Sequence, residues 1–334
     1  MARTAALRSV LALLVLLAGL LAPPLAAAQP TPEVAAAMRQ SVVKVRAFVA
    51  GEARTARTLG TEREGTGIVI DSDGLIVTIG YVVLEAMGAE ITDHRGRAMR
   101  AEIVGYDADT GFGLLRATEP LDVRPAPIGR AARLAEGERV SVVAAGEDGA
   151  QPAIVVQRRE FAGYWEYLLD EAVFVSPPHP RWAGAGLFTA DGRLAAVGSL
   201  LVGQVAPGVP VPGNMMIPID LLRPILGDLL ALGRIARPPR PWLGVNVQEA
   251  PTGVVISRVQ SETPAERAGL AVGDVVIAVA GEPVRNVADF YRKIWSKGDA
   301  GVVVGLDLVA PAGRRSVSVT TGDRRRYMRG GRSY

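Results

Sequence analysis

Two imidazoles, His94 and His179, and no thiol are the side chains of this 334-residue chain whose ordinary pKa suits a base near neutral pH, or that could give a metal a nitrogen or sulfur ligand. Acyl transfer needs an activated nucleophile, a base with a pKa near 7 and an acid that orients the base. His94 lies in TDHRGR, a polar turn where an imidazole is solvated, and His179 stands between Pro178 and Pro180 with no serine beside it. The absence of cysteine excludes disulfides, zinc–thiolate sites, a cysteine nucleophile and a lipidated N-terminal cysteine. No metal or cofactor is expected. Asp71 and Asp73 frame a turn at Gly74 and are read as turn residues, not as paired acids.

The elements that would position any site are short. With 38 Gly and 23 Pro in a chain long enough for two domains, many strands and turns are expected. Strand-like runs recur as SVVKVRAFV, GTGIVID, LIVT, AEIVGY, RVSVVAA and AIVVQRREF. Asp73-Gly74, Arg95-Gly96 and Asp191-Gly192 supply the positive φ of tight turns. A short helix is expected near residues 29–40, and a second from Asp220, interrupted or bent near Pro224 and stopped at Gly233. RPPRP at 237–241 is a stiff linker, and 242–323 a compact unit of strands with helical patterns in ETPAERAGL and NVADFYRKIWS. The tail 324–334 has arginines but no apolar face and is read as disordered. Residues 1–28 carry Arg3 and Arg8, an apolar run and a small-residue exit, the order of a secretory signal peptide cleaved after Ala28. The rival reading, a membrane anchor, is disfavoured because Pro23 and Pro24 interrupt the run early. Export to a periplasm follows. A net charge of +3 with only three lysines gives no basis for a nucleic-acid partner.

GTGIVIDSDGLIVTIGYVV, YDADTGFGLLRA and HPRWAGAGLFTADGRLAAVGS resemble, in turn, the histidine-bearing segment, the aspartate strand and the nucleophile loop of the HtrA/Deg family of trypsin-fold serine proteases. NMMIP resembles a later strand, and WLGV with ETPAERAGLAVGDVVIAVAGEPV resembles its PDZ module. The resemblance covers roughly residues 33–322 and implies a mainly β chain: a trypsin-like double β-barrel (29–236), then a small α+β PDZ domain (242–323). Carried over residue by residue, the histidine position is Tyr81, the aspartate position Gly111 and the serine position Ala183. A phenol with a pKa near 10 is a poor base, alanine has no nucleophile and glycine orients nothing. The glycine two places before the serine is Arg181 here, which implies a damaged oxyanion hole.

The PDZ resemblance implies a peptide groove built from Trp242, Leu243, Gly244, Val245, Asn246 and Val247, with Phe290 and Ile294 on the opposite helix. Such a groove adds a peptide as an extra strand and receives its terminal carboxylate on loop N–H groups. Phe290 and Ile294 have a second reading, as plain core residues. The expectation is an exported pseudoprotease that binds protein C-termini or unfolded polypeptide as adaptor, decoy or chaperone-like factor. A homo-oligomer, such as the trimers of the family, or assembly with an active relative would suit it. The alternative is an active serine endopeptidase of divergent design.

Overall fold

The computed structural model describes residues 29–146, 149–208, 210–311 and 313–328; the expected signal peptide lies outside them. Strands β1 (Val42–Val49), β2 (Glu62–Val69), β3 (Leu75–Ile79), β4 (Ala86–Thr92), β5 (Ala98–Tyr106) and β6 (Phe112–Ala117) close into a barrel in the order β1-β2-β3-β6-β5-β4. Period-2 alternation drives the closure: Val43, Val45 and Ala47 of β1 are buried while Lys44 and Arg46 face solvent. The turn from β2 to β3 is made by Gly74 at φ +75°, while the Asp71 carboxylate accepts the Asp73 and Leu75 N–H groups at 2.9 and 2.8 Å.

A second barrel repeats the plan. It is formed by β7 (Arg139–Val143), β8 (Ala150–Gly163), β9 (Tyr167–Ser176), β10 (Gly186–Phe188), β11 (Leu194–Val202) and β12 (Gly213–Pro218), ordered β10-β11-β12-β9-β8-β7. Buried side chains of both barrels form one apolar cluster, including Ile76, Phe112, Phe174 and Ile217. The expected N-terminal helix is Pro32–Gln40, begun by Thr31, whose hydroxyl accepts the Val34 N–H. The helix expected from Asp220 begins later, at Arg223, after a 3₁₀ turn over Ile219–Leu221. The helical stretch is thus interrupted just before Pro224, which sits in the first turn of the α-helix, where it takes no hydrogen bond away. Gly233, left-handed at φ +65°, ends it.

The C-terminal domain is a sheet of β13 (Val245–Ala250), β14 (Gly253–Val259), β15 (Val275–Val279), β17 (Val303–Ala310) and β18 (Gly313–Thr320), with β16 (Glu282–Pro283) paired to β15. Helices Pro264–Arg267 and Val287–Trp295 pack on it, the latter started by the Asn286 side chain accepting the Asp289 N–H. The linker is pinned rather than free. Arg237 and Arg240 pair with Asp109 at 2.6 and 3.3 Å, and the Arg240 guanidinium lies 4.4 Å from the Trp295 ring centre. The segment expected to be a disordered tail opens instead with a helix, Arg324–Met328. The anchor is aromatic: Tyr327 packs on Trp242 with ring centres 4.7 Å apart and donates its hydroxyl to the Ser261 carbonyl at 3.0 Å. Among the described residues no helix is long and apolar enough to cross a membrane.

Candidate functional site

The seam between the barrels holds all three positions that the resemblance assigns to catalysis, and the Gly111 carbonyl accepts the N–H of Gly80, next to Tyr81, at 2.7 Å. Tyr81 sits in the single helical turn Gly80–Val83, where only glycine fits before it: a Cβ on Gly80 would lie 2.1 Å from the Tyr106 ring. The Tyr81 hydroxyl crosses the seam and donates to the Ser199 carbonyl of β11 at 2.9 Å. Burial pushes this phenol well above its ordinary range, so it holds its proton at any neutral pH. Ala183 contributes a half-buried methyl and a carbonyl that accepts the Thr66 N–H at 2.8 Å. Gly184 is wedged so tightly that a Cβ would stand 2.0 Å from the Thr66 carbonyl oxygen, at φ +76°.

The third position, Gly111, adopts φ +86° and donates its N–H to the Asp107 carbonyl at 2.8 Å. No acid extends from it. Asp107 turns inward on its own loop, accepting the Thr110 N–H and hydroxyl at 2.8 and 2.7 Å. Burial, then the neighbouring Asp109 charge, raises its carboxyl above the usual range. Tyr167 fills the adjacent space, donating its hydroxyl to the Thr110 carbonyl at 2.7 Å.

Both histidines can now be placed. His94 is exposed, as its turn sequence implied, whereas His179 is fully buried. The His179 Nδ1 accepts the Arg181 N–H at 3.0 Å, and Nε2 meets the Gly149 carbonyl at 3.3 Å. The imidazole therefore carries its proton on Nε2 and orders the loop from within. Arg181, the position that would supply an oxyanion-hole donor, spends its N–H on that contact and sends its guanidinium to the Ala145 carbonyl at 3.2 Å. Among the described residues no cluster of three or more His, Asp or Glu could hold a metal.

The second candidate site lies in the C-terminal domain. Trp242, Leu243, Val245 and Val247 are buried, Asn246 is half-buried, and Gly244 bends at φ +87°, where a Cβ would strike the Thr263 side chain at 2.4 Å. Phe290 and Ile294 are fully buried in the domain's apolar cluster. The helix residue with polar reach is Tyr291, which the sequence reading did not single out. Its hydroxyl donates to the Gly163 carbonyl at 2.7 Å and accepts the Glu166 N–H at 3.0 Å. Glu166 was missed as well; the sequence signal was a lone acid set among aromatics in GYWEY.

Residues 65–197 match the model of the trypsin-like peptidase domain, and residues 255–305 match that of the PDZ domain. A probable periplasmic serine endoprotease, DegP-like, from Pseudomonas fulva is 25% identical over 285 residues, covering 79% of this chain and 57% of the relative. The putative serine protease HhoA of Synechocystis is 26% identical over 295 residues, covering 77% and 70%. The chain thus spans a little over half the length of the DegP-like relatives it matches. Among solved structures, the HtrA-type protease AlgW with a decapeptide superposes with a TM-score of 0.54 at 17% identity, covering 87% of this chain and 98% of that one. The serine endoprotease from Yersinia pestis gives 0.52 at 19%, covering 87% and 96%. The expected architecture, a trypsin-like domain followed by a PDZ domain in a mainly β chain, is the one found.

Proposed function

We propose that this relative of the HtrA/DegP serine proteases is an exported pseudoprotease that works by holding polypeptide. The PDZ domain binds C-terminal or unfolded segments of envelope proteins, and the protein serves as adaptor, decoy or chaperone-like factor in their quality control. The observation that carries the reading is the Tyr81 hydroxyl hydrogen-bonded to the Ser199 carbonyl, beside a methyl at Ala183. A protonated phenol cannot take a proton from a nucleophile, and there is none at that position to give one. Loss of the nucleophile or base alone costs about 10⁶ in turnover in the subtilisin case, as much as losing the whole triad. The residual 10³–10⁴ or so that survives such losses comes from an intact oxyanion hole and binding, and the Arg181 N–H is spent on His179.

Peptide binding is supported by the PDZ match and by the peptide-bound HtrA-type structures that superpose on this chain. Export is supported by the periplasmic naming of the relatives. Self-assembly, or assembly with an active relative, would let one such chain present clients to another. The test is a fluorophosphonate probe on purified protein, beside anisotropy titration of labelled peptides with free C-termini. Silence toward the probe with saturable peptide binding is expected. Covalent labelling at any serine would establish an active divergent endopeptidase instead.

A further inference from the structure

The carboxylate loop of the PDZ domain already holds a carboxylate, and it comes from the other domain. The Glu166 side chain accepts the N–H groups of Leu243, Gly244 and Val245 at 2.9, 2.7 and 3.1 Å. Three consecutive backbone N–H groups converging on one anion form the nest that receives a chain terminus in this fold. Two residues upstream, the Tyr164 carbonyl accepts the Val247 N–H at 2.8 Å, so the hairpin tip also pairs with the free edge of β13. Leu168, two residues downstream, is buried in the PDZ domain's own apolar cluster. A carboxylate, a strand carbonyl and an apolar side chain are the three features by which an extended C-terminal peptide is recognised.

The backbone is set for this contact. Glu166 adopts φ +56°, an uncommon conformation for a residue with a side chain. The Tyr291 hydroxyl holds that bend between the Gly163 carbonyl and the Glu166 N–H. The Arg292 guanidinium adds an ion pair to Glu160 at 2.5 Å, and a second to Asp170, one on each strand of the hairpin. Burial pushes the Glu166 carboxyl up, with the three N–H donors opposing that rise.

We infer that the β8–β9 hairpin is a resident internal ligand of the PDZ groove, Glu166 standing for a terminal carboxylate, so that a polypeptide C-terminus binds by displacing it. The inference deepens the proposed binding function and rests on it for the incoming ligand. The hairpin contact itself stands apart from that reading. The competitor is of defined chemistry: an extended chain with a free terminal carboxylate and an apolar last residue. Because the hairpin is tethered, it competes at an effective concentration in the millimolar range, and the apparent affinity for free peptides is lowered accordingly.

The experiment uses the full secreted chain and a fluorescein-labelled hexapeptide, Gly-Ser-Gly-Tyr-Trp-Leu, as free acid and as C-terminal amide. Glu166→Ala should bind the acid at least about tenfold more tightly than the wild type, Glu166→Gln should fall between, and the amide should bind none of them. Hydrogen exchange supplies a readout independent of peptide. Without peptide, the Leu243–Val245 N–H groups should be protected in the wild type and exchange faster in Glu166→Ala. If exchange quickens yet neither variant binds peptide, the hairpin contact stands and the ligand reading fails. If exchange and affinity both match the wild type, the inference is overturned. Should Glu166→Ala not fold, the wild type decides: saturating acid peptide must expose the Glu166 N–H while the loop stays protected. Protection of both at once would place the peptide elsewhere and overturn the inference.

Discussion

Rebuilding the three seam positions together, Tyr81→His, Gly111→Asp and Ala183→Ser, should yield a damaged protein and not a protease. Most of the damage comes from Gly111→Asp. At φ +86° an L-residue costs about 1–2 kcal/mol relative to glycine. A Cβ there would stand 3.1 Å from both the Ile217 Cδ1 and the Tyr167 hydroxyl oxygen, and the latter is held by the Thr110 carbonyl at 2.7 Å. The new carboxylate would also enter a loop whose Asp107 is already pushed toward its protonated form by burial and by Asp109. A further penalty of about 1–3 kcal/mol is expected if it is left without donors. Gly111→Asp should therefore lose about 2–5 kcal/mol in urea unfolding, while Ala183→Ser, at a half-buried position, should stay within about 0.5 kcal/mol of the wild type. On the chemical side the spent Arg181 N–H removes one oxyanion donor, a factor of about 10²–10³ by itself. Fluorophosphonate labelling and hydrolysis of an unfolded model substrate should both remain at background in the triple variant. Clear turnover, with Gly111→Asp as stable as the parent, would refute the geometry on which this rests.

Other substitutions test other contacts. Tyr291→Phe leaves the buried Gly163 carbonyl and Glu166 N–H unpartnered, and should cost about 1–3 kcal/mol in chemical denaturation. A value near zero would mean water replaces the hydroxyl. Gly184→Ala places a methyl 2.0 Å from the Thr66 carbonyl oxygen and should cost at least about 3 kcal/mol, seen as lost soluble yield and a lower urea midpoint. Burial pushes the Asp289 carboxyl up, but hydrogen bonds from Arg285 and Lys293 outweigh it and hold the group well below its ordinary range. A depressed folded pKa contributes stability that is complete above the unfolded value near 4 and fades as pH falls below it. Asp289→Asn should lower stability at pH 7 by about 1–2 kcal/mol and flatten the acid limb of the melting profile; an unchanged acid limb would place the sensitivity elsewhere.

Much of this fold was legible because its strands carry their own period. β1 alternates valine with lysine and arginine, and Gly74, Gly96 and Gly192 all take the positive φ that their turn pairs required. The candidate seam residues could be named from sequence because each sits in a local motif. What sequence could not give was long-range partnering. Glu166 and Gly244 lie 78 positions apart, and nothing local distinguishes a turn acid that meets a nest from one that meets water. Tyr291 was hidden for a related reason. At helical spacing Phe290 and Ile294 are the expected groove pair; both are fully buried in the cluster that also holds Leu168 of the hairpin, and the hydroxyl beside Phe290 makes the polar contacts. The tail failed by composition: an arginine-rich stretch without an apolar face reads as unstructured until Tyr327 finds Trp242.

The loop from Asp107 to Gly111 ends on the residue that the sequence resemblance places at the aspartate position of the triad. Here Asp109, at its apex, moors the linker through Arg237 and Arg240. Partly exposed ion pairs of this kind are worth about 0.2–1 kcal/mol each and weaken with ionic strength. This loop is thus a berth for the linker, and the salt content of the surrounding fluid tunes this part of the hold that the barrels have on the C-terminal domain.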